Sequence, residues 1–182
     1  MTEQRVSSRY ARALLDTSEK ENISSEIYAN MQLVEKTLND SHEFRIFTSS
    51  PVIQHWRKKE VYRAVFEGKI HTLALNFLLF LLDKKRGELI LSIVTQFEIQ
   101  YNEINKILPV EIISTIEMTD ELKTKMVEKI SLTSGKKVVP KFKTDAMLKG
   151  GALVKINDWI YDASVKHQLE ILHKKLAEEN II

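Results

Sequence analysis

The sequence predicts a mostly α-helical protein, in which an N-terminal six-helix bundle is followed by a small α+β domain of the order β-α-β-β-α. Two observations predict this fold class. Before about Leu108, apolar residues recur at the three- and four-residue spacing of amphipathic helices. After Pro109 they alternate with polar residues, as in a strand with one face in water. We therefore expect residues 1–106 to form the helical domain and residues 107–182 to form the second domain.

The composition is that of a globular protein and argues against several classes. Of the 182 residues, 43% are hydrophobic and 29% are charged, and the net charge of +2 lacks the basic excess of a dedicated nucleic-acid binder. The sequence contains no cysteine, which rules out disulfides and thiolate metal sites. The longest apolar run, residues 73–82, is too short to span a membrane. The first residues resemble neither a secretory signal nor an import peptide, so we expect a protein kept inside a bacterial cell.

The first half of the predicted bundle contains two long helices and a short one. Residues 5–20 form the first helix, and Asn22 or Ser24 can cap the second. Ser41 opens the short third helix. The apolar face of the second helix consists of Ile23, Ile27, Met31, Val34 and Leu38.

Three further helices complete the predicted bundle. Pro51 suits the first position of the fourth helix, and Gly68 ends it. The fifth helix, residues 71–83, is the most apolar and is expected to be the central member, with the cations of residues 84–86 near its negative end. The apolar positions of the fourth and sixth helices are Ile53, Trp56, Ala64 and Val65, and then Leu89, Ile93, Phe97, Tyr101 and Ile104.

The second domain is expected to begin with a strand, a helix and another strand. Thr119 is predicted to cap the helix and Gly135 to end it. Pro140 cannot donate a hydrogen bond to a ladder, so the strand of residues 136–143 is expected at a sheet edge. The predicted apolar faces are Val110, Ile112 and Ile116, then Leu122, Met126 and Ile130, then Val138, Pro140 and Phe142, with Lys137, Lys141 and Lys143 on the other face of the last strand.

A hairpin and a final helix close the chain. Gly150 and Gly151 precede the hairpin, where they suit a bulge or a close backbone approach. A two-residue turn at residues 157–158 pairs Ile156 with Trp159, Val154 with Tyr161 and Lys155 with Ile160. Asp162 or Ser164 is expected to cap the final helix, whose apolar face is Val165, Leu169, Leu172 and Leu176.

No catalytic constellation is predicted. Asp162, Ser164 and His167 are the residue types of a hydrolase triad, but no glycine-flanked serine elbow accompanies them, and capping explains the first two. The five histidines lack the spacing of a metal site, and Gly150 and Gly151 lack the other residues of a nucleotide-binding loop. We therefore expect no catalytic residue, metal or cofactor, and structural roles for Gly150, Gly151, Asp162 and Ser164. A hydrolase that uses Ser164 and His167 is an alternative.

Basic clusters occur at residues 57–59, 84–86 and 136–137, and we interpret them as solvated surface. The second domain lacks the GxxG loop of one small RNA-binding module and the aromatic pattern of another. An RNA-binding or assembly adaptor that uses the lysine-rich strand of residues 136–143 is a further alternative. The helix faces and the small sheet that remain indicate a binding protein.

Three motifs follow one another along the chain. The first helix contains Arg9-Tyr10-Ala11-Arg12-Ala13-Leu14, and the fifth contains Asn76-Phe77-Leu78 followed by Leu81 and Arg86. The last quarter contains Asp145, Leu148, Gly150, Gly151, Ile156, Asp158, Asp162, Ser164, Val165, Leu169, Leu172 and Leu176. In this order and over residues 5–176, the motifs resemble those of the δ subunit of bacterial F-type ATP synthase, the family of the mitochondrial oligomycin-sensitivity-conferring protein.

The resemblance implies a non-catalytic stator subunit that joins the catalytic head of the synthase to its peripheral stalk. The helical domain would bind the N-terminal helices of the α subunits in a groove between the first and fifth helices. The second domain would bind the C-terminal ends of the stalk's b subunits. Such a subunit associates with the cytoplasmic face of the plasma membrane through the complex and binds no nucleic acid. Carried onto this chain, the head-facing residues would be Tyr10, Ala13, Asn76 and Phe80, although the same residues could instead pack the bundle.

Three positions depart from the family's common pattern. Lys149 replaces an apolar residue before the glycine pair, Asn157 replaces the glycine of the hairpin turn, and Ala163 replaces the glycine of Asp-Gly-Ser-Val. Asn157 is tolerable because asparagine visits the left-handed region. Alanine at position 163 is less tolerable if the backbone there needs a positive φ.

Overall fold

A computed structural model describes residues 3–148, 150–156, 159–169 and 171. This part of the chain is mostly helical and carries a small four-stranded mixed sheet, which confirms the predicted mostly α class. The chain divides into two compact units, Met1–Tyr101 and Asn102–Ile182. The boundary predicted after residue 106 lies a few residues beyond the division between these two units. The function predicted for each domain stays a prediction.

Six α-helices occupy the first part of the chain. They are α1 (Glu3–Lys20), α2 (Ser24–Asp40), α3 (His42–Ser49), α4 (His55–Phe66), α5 (Thr72–Asp83) and α6 (Ile90–Ile104). A single 3-10 turn, Gly87–Leu89, leads into α6. The largest fully buried side chains of the first unit come from α1, α2, α4, α5 and α6: Leu15, Ile27, Met31, Leu38, Tyr62, Phe66, Leu78, Leu81, Leu82, Ile90, Ile93 and Phe97. Burial of each such side chain contributes about 1.5–3 kcal/mol, so these faces hold the helices together.

The predicted starts of α2 and α3 have different outcomes. The Ser41 side chain accepts a hydrogen bond from the Phe44 backbone N–H at 3.2 Å, which confirms Ser41 as the cap of α3. The cap predicted for α2 is wrong. Asn22 lies in the left-handed region with φ of 57°, Ser24 is already helical, and the cap position belongs to Ile23, whose side chain makes no cap hydrogen bond. Asn22 therefore serves the turn between the helices.

The start and the buried face of α4 also differ from the prediction. Pro51 does not open the helix, which begins four residues later at His55 with Gln54 at its cap position. Gly68 lies just beyond the end of α4 with φ of 74°, which fits its predicted role as a stop. The predicted apolar face of Ile53, Trp56, Ala64 and Val65 is wrong, because the buried residues of α4 are Lys58, Tyr62 and Phe66.

The second part of the chain forms a mixed sheet. Its strands are β1 (Ile107–Ser114), β2 (Lys137–Thr144), β3 (Ala152–Ile156) and β4 (Trp159–Asp162), in the order β2-β1-β3-β4. The helix α7 (Asp120–Ser134) connects β1 to the parallel strand β2, and the other pairings are antiparallel. The sheet has one strand more than the predicted order β-α-β-β-α, since the hairpin adds two strands. Pro140 lies on the edge strand β2, as predicted.

One face of the sheet packs against α7. The buried cluster there consists of Leu108, Val110, Ile112, Val138 and Val154, against which Met118, Met126, Val127, Ile130 and Ile156 pack. Ile116 and Leu122 were expected on this face but are exposed, because Ile116 follows the end of β1 and Leu122 lies in the first turn of α7. Thr119 holds the cap position of α7 without a side-chain hydrogen bond, and Gly135 ends the helix in the left-handed conformation.

The hairpin pairs as predicted. Ile156 lies opposite Trp159, Val154 opposite Tyr161, and Lys155 opposite Ile160. The predicted turn residues Asn157 and Asp158 lie outside the described residues, as do Lys149, Leu172 and Leu176. Residues 165–169 are helical, which fits the expected final helix.

Candidate partner-binding surfaces

An aromatic pair connects α1 to α5 at the surface of the first unit. Tyr10 on α1 is half-buried and Phe80 on α5 is 44% exposed. Their ring centroids lie 6.4 Å apart with the planes at 64°, the edge-to-face arrangement that aromatic rings favour. The Lys84 ammonium lies 5.5 Å from the centre of the Phe80 ring. The structure therefore brings these two sequence-predicted residues together and leaves much of Phe80 open to solvent.

The other two predicted head-facing residues lie on the same helices. Ala13 follows Tyr10 by one turn of α1, and Asn76 precedes Phe80 by one turn of α5, so each shares a helix face with an aromatic residue. Both Ala13 and Asn76 are exposed. We call Tyr10, Ala13, Asn76 and Phe80 the α1–α5 surface. Ala13, Asn76 and Phe80 are exposed, so they do not belong to the buried core.

A second surface, an apolar groove, opens between α7 and the hairpin in the second unit. It has a volume of about 510 Å³ and is lined by Met126, Lys129, Ile130, Thr133, Ser134, Val154, Ile156 and Tyr161. Beside it, Tyr161 is 70% exposed and Trp159 is 81% exposed. Trp159 lies next to Ile156 across the hairpin, so the two strands present one continuous apolar face. Two large aromatic side chains on such a face are typical of a partner-binding surface.

This groove was not predicted from the sequence. The predicted pairing of Trp159 and Tyr161 with Ile156 and Val154 on one face is confirmed. The sequence does not reveal that α7 covers only part of that face. The available signal was Trp159 and Tyr161, two aromatic residues on one face of a short strand, since aromatic residues are enriched at interfaces.

Asp162 and Ser164 accept hydrogen bonds from nearby backbone N–H groups. The Ser164 side chain is 1% exposed and accepts a hydrogen bond from the His167 backbone N–H at 3.2 Å. Asp162 accepts one from the Ser164 backbone N–H at 2.8 Å, and hydrogen bonds from Ser164 lower the pKa of the Asp162 carboxyl. Ser164 is thus the helix cap and Asp162 stabilises the turn before it. The structure gives no support to a hydrolase that uses Ser164 and His167, since the bond between them involves backbone rather than the imidazole.

The glycine pair allows the cap segment to approach β3 closely. A Cβ on Gly151 would collide with the Ala163 carbonyl oxygen, and one on Gly150 would lie 2.9 Å from the Val165 side chain. The Val165 backbone N–H donates to the Gly150 carbonyl at 3.0 Å. Both glycines have positive φ, whereas Ala163 is not among the described residues that do. The alanine at position 163 is therefore free of the strain that a positive φ would impose.

One member of the predicted solvated clusters is buried instead. Lys58 on α4 is 7% exposed, and its ammonium donates to the backbone carbonyls of Thr48 and Ser50 at 2.6 and 2.7 Å. Burial lowers the pKa of Lys58. The interpretation of this residue as solvated surface is wrong. It satisfies the last carbonyls of α3 and joins that helix to α4.

Within the described residues, no group of three or more histidines, aspartates and glutamates could hold a metal ion. No helix in the same part of the chain is long and apolar enough to cross a membrane.

A family model described as ATP synthase delta (OSCP) subunit matches residues 6–176. The chain belongs to this family. Its relatives include proteins named ATP synthase subunit delta from Chlorobaculum tepidum, 32% identical over 96% of both chains, and from Fusobacterium nucleatum, 34% identical over 93% of this chain and 97% of the relative. A sodium ion specific delta subunit of Propionigenium modestum is 33% identical over 94% of this chain and 98% of the relative.

A solved structure supports the fold assignment. A chain of the Toxoplasma gondii mitochondrial ATP synthase hexamer matches with a TM-score of 0.73, covering 94% of this chain and 97% of that chain at 22% sequence identity. At this identity the similarity concerns the fold.

Proposed function

We propose that this chain is a non-catalytic stator subunit of a proton-translocating F-type ATP synthase. Residues 1–106 would hold the N-terminal helices of the α subunits, and residues 107–182 would hold the b subunits of the peripheral stalk. The torque of rotation would then be resisted and proton flow coupled to ATP synthesis. The observation that carries the proposal is the match of the delta-subunit family over residues 6–176, together with one exposed aromatic surface in each unit.

The α1–α5 surface suits an incoming amphipathic helix. Phe80 and Tyr10 offer aromatic edges for its apolar side chains, and the small side chain of Ala13 leaves room beside them. The exposed amide of Asn76 can both donate and accept hydrogen bonds, so it can fix the register of the helix. Phenylalanine and tyrosine are among the residues enriched at protein interfaces.

The apolar groove suits a helix from the stalk. Its floor is made by Val154, Ile156 and Ile130, and the exposed rings of Trp159 and Tyr161 flank it. A helix that buried its apolar face here would remove both rings from water, at about 25 cal/mol for each square ångström of apolar surface. Binding at each end requires no covalent chemistry, and we propose neither a cofactor nor an active site. The subunit would associate with the cytoplasmic face of the plasma membrane through its partners.

The two surfaces can be tested with one pair of variants in the full chain. Calorimetry would measure binding of an α-subunit N-terminal peptide and, separately, of a soluble C-terminal fragment of the b subunit. We expect Phe80→Ala to weaken binding of the α peptide about tenfold or more and to leave binding of the b fragment unchanged. Trp159→Ala should weaken binding of the b fragment and leave binding of the α peptide unchanged. Each variant is thus the matched control for the other.

Two results would contradict the assignment. Absence of α-peptide binding at micromolar concentration would remove the head-binding role of the first unit. Binding of both ligands with the same affinity to wild type, Phe80→Ala and Trp159→Ala would show that the contacts lie elsewhere. Circular dichroism of each variant would confirm that its fold is intact.

A further inference from the structure

Four lysines share the face of the sheet opposite α7. Side chains alternate along a strand, and Val138 of β2 and Val154 of β3 point toward α7. The residues between point the other way, and the pairing places Lys141 and Lys155 on either side of Glu111 in β1. We call this the lysine face; its basic residues are Lys137, Lys141, Lys143 and Lys155.

The acidic side chains on the described strands of this face, Glu111 and Asp162, already have ion-pair or hydrogen-bond partners within the chain. Glu111 forms an ion pair with Lys143 and lies 3.9 Å from Lys155, and the hydrogen bond from Lys143 lowers the pKa of the Glu111 carboxyl. Asp162, at the end of β4, accepts from the Ser164 backbone. On the described strands, four lysines against two carboxylates leave an excess of two positive charges. Lys137 and Lys141 are exposed, so a partner's carboxylates can reach them.

Apolar side chains lie between these lysines. Val139 on β2 and Ile160 on β4 are both exposed on the lysine face. Lys155 is the cross-strand neighbour of Ile160, so a charge and an apolar group stand side by side. A matching surface would place acidic residues beside apolar ones at a spacing of about 5 Å.

Aromatic residues of the sheet lie on the other face. Trp159 and Tyr161 pair with Ile156 and Val154, and Phe142 lies opposite Ile112, all of them in or beside the cluster under α7. Proteins that bind single-stranded RNA on a sheet stack its bases on aromatic side chains. On the described strands the lysine face offers no such ring, so its chemistry favours an acidic protein over RNA.

We propose that the lysine face binds an acidic segment of a partner protein, in which aspartate or glutamate alternates with apolar residues. This goes beyond the proposed function, which uses the apolar groove on the opposite face of the same sheet. The chain would thus contact protein on both faces of its second unit. Each exposed ion pair is expected to strengthen binding about 1.5- to 5-fold, so several are needed together.

Zero-length cross-linking of the intact synthase tests the proposal. A water-soluble carbodiimide joins a lysine amine to a carboxylate only when the two are in contact, and mass spectrometry identifies the linked residues. We expect Lys137, Lys141 or Lys155 to be linked to acidic residues of another subunit. If the chain is present in the complex and these lysines are linked only to Glu111, the inference is wrong. Absence of the chain from the complex would instead contradict the proposed function.

Neutralised variants separate this surface from general charge effects. Lys137→Gln, Lys141→Gln and Lys155→Gln together should release the chain from the synthase at a lower salt concentration than wild type. The matched control, with Lys36→Gln, Lys69→Gln and Lys125→Gln, removes three exposed lysines elsewhere and should behave as wild type. Equal salt sensitivity of the two triple variants would overturn the proposal. So would tight binding of polyuridylic acid that is lost in the first variant, since that result assigns the face to RNA.

Discussion

Replacement of Glu98 by glutamine is expected to stabilise the protein at pH 8 while changing its stability little at pH 5. Glu98 lies on α6 and is partly buried, and its Oε1 is enclosed without a hydrogen-bond partner in the part of the chain that the structure describes. Burial and then the negative charge of Glu35 on α2 raise the pKa of Glu98 to about 7 from an ordinary value of 4.5. The folded protein therefore holds this proton more tightly than the unfolded chain.

The sign and size of the effect follow from proton linkage. Below pH 4.5 both states carry the proton and the group has no net effect. Between pH 4.5 and about 7 only the folded state carries it, so the free energy of unfolding falls as pH rises. The full shift corresponds to about 3 kcal/mol at 1.36 kcal/mol per pH unit. Because solvent reaches part of the side chain, we expect about 1–2 kcal/mol. Above pH 7 the loss is complete.

Urea unfolding followed by circular dichroism at pH 5, 6, 7 and 8 would measure this effect. The amide of Glu98→Gln resembles the protonated acid, so the variant should match wild type at pH 5 and exceed it by about 1–2 kcal/mol at pH 8. Glu35→Gln, which removes the neighbouring charge, should make the loss of stability smaller and complete at a lower pH, because the pKa of Glu98 then falls toward its ordinary value. A difference between wild type and Glu98→Gln that does not vary with pH would refute the reasoning.

Two further predictions concern stability, each measured as a free energy of unfolding. Gly151→Ala should cost about 3 kcal/mol or more, because a Cβ would collide with backbone, whereas Gly68→Ala, at a similar φ in open space, should cost only about 1 kcal/mol. Equal costs would show that the close approach is unimportant. Lys58→Met should cost about 2 kcal/mol, since the backbone carbonyls of Thr48 and Ser50 lose their donor. Lys59→Met removes a more exposed ion pair, so it should lower the free energy of unfolding by less than about 1 kcal/mol. A larger loss for Lys59→Met than for Lys58→Met would contradict the role of Lys58.

The spacing of apolar residues predicted buried faces and strand pairing correctly where they depend only on residues close together in the sequence. The face of α2 that carries Ile27, Met31 and Val34 is buried as expected, because these residues repeat at the spacing of one helix face. The hairpin register also followed from the chain itself, since a two-residue turn fixes which residues are opposite. The structural role of Ser164 followed from its position before an amphipathic segment.

Burial was predicted wrongly where it depends on contacts with residues that are distant in the sequence. The sequence suggested that Trp56 would be buried and Lys58 solvated, whereas Trp56 is exposed and Lys58 is enclosed. Lys58 is held there by carbonyls at the end of α3, which no local pattern around residue 58 reveals. The α1–α5 surface was proposed from a family resemblance. The edge-to-face contact of Tyr10 with Phe80 joins residues 70 positions apart, and only the folded chain shows it.

The sequence by itself determined the class of the fold, the hairpin register and the family, because these depend on spacing along one chain. Only the tertiary structure decided which apolar side chains remain in water. Trp159 and Tyr161 follow the same alternation as buried strand residues, yet α7 covers only part of their face and leaves an open groove. The lysine face arose in the same way, since β1 brings Lys141 and Lys155 to either side of one glutamate. Burial is set by what packs from elsewhere in the chain, and that information is not local.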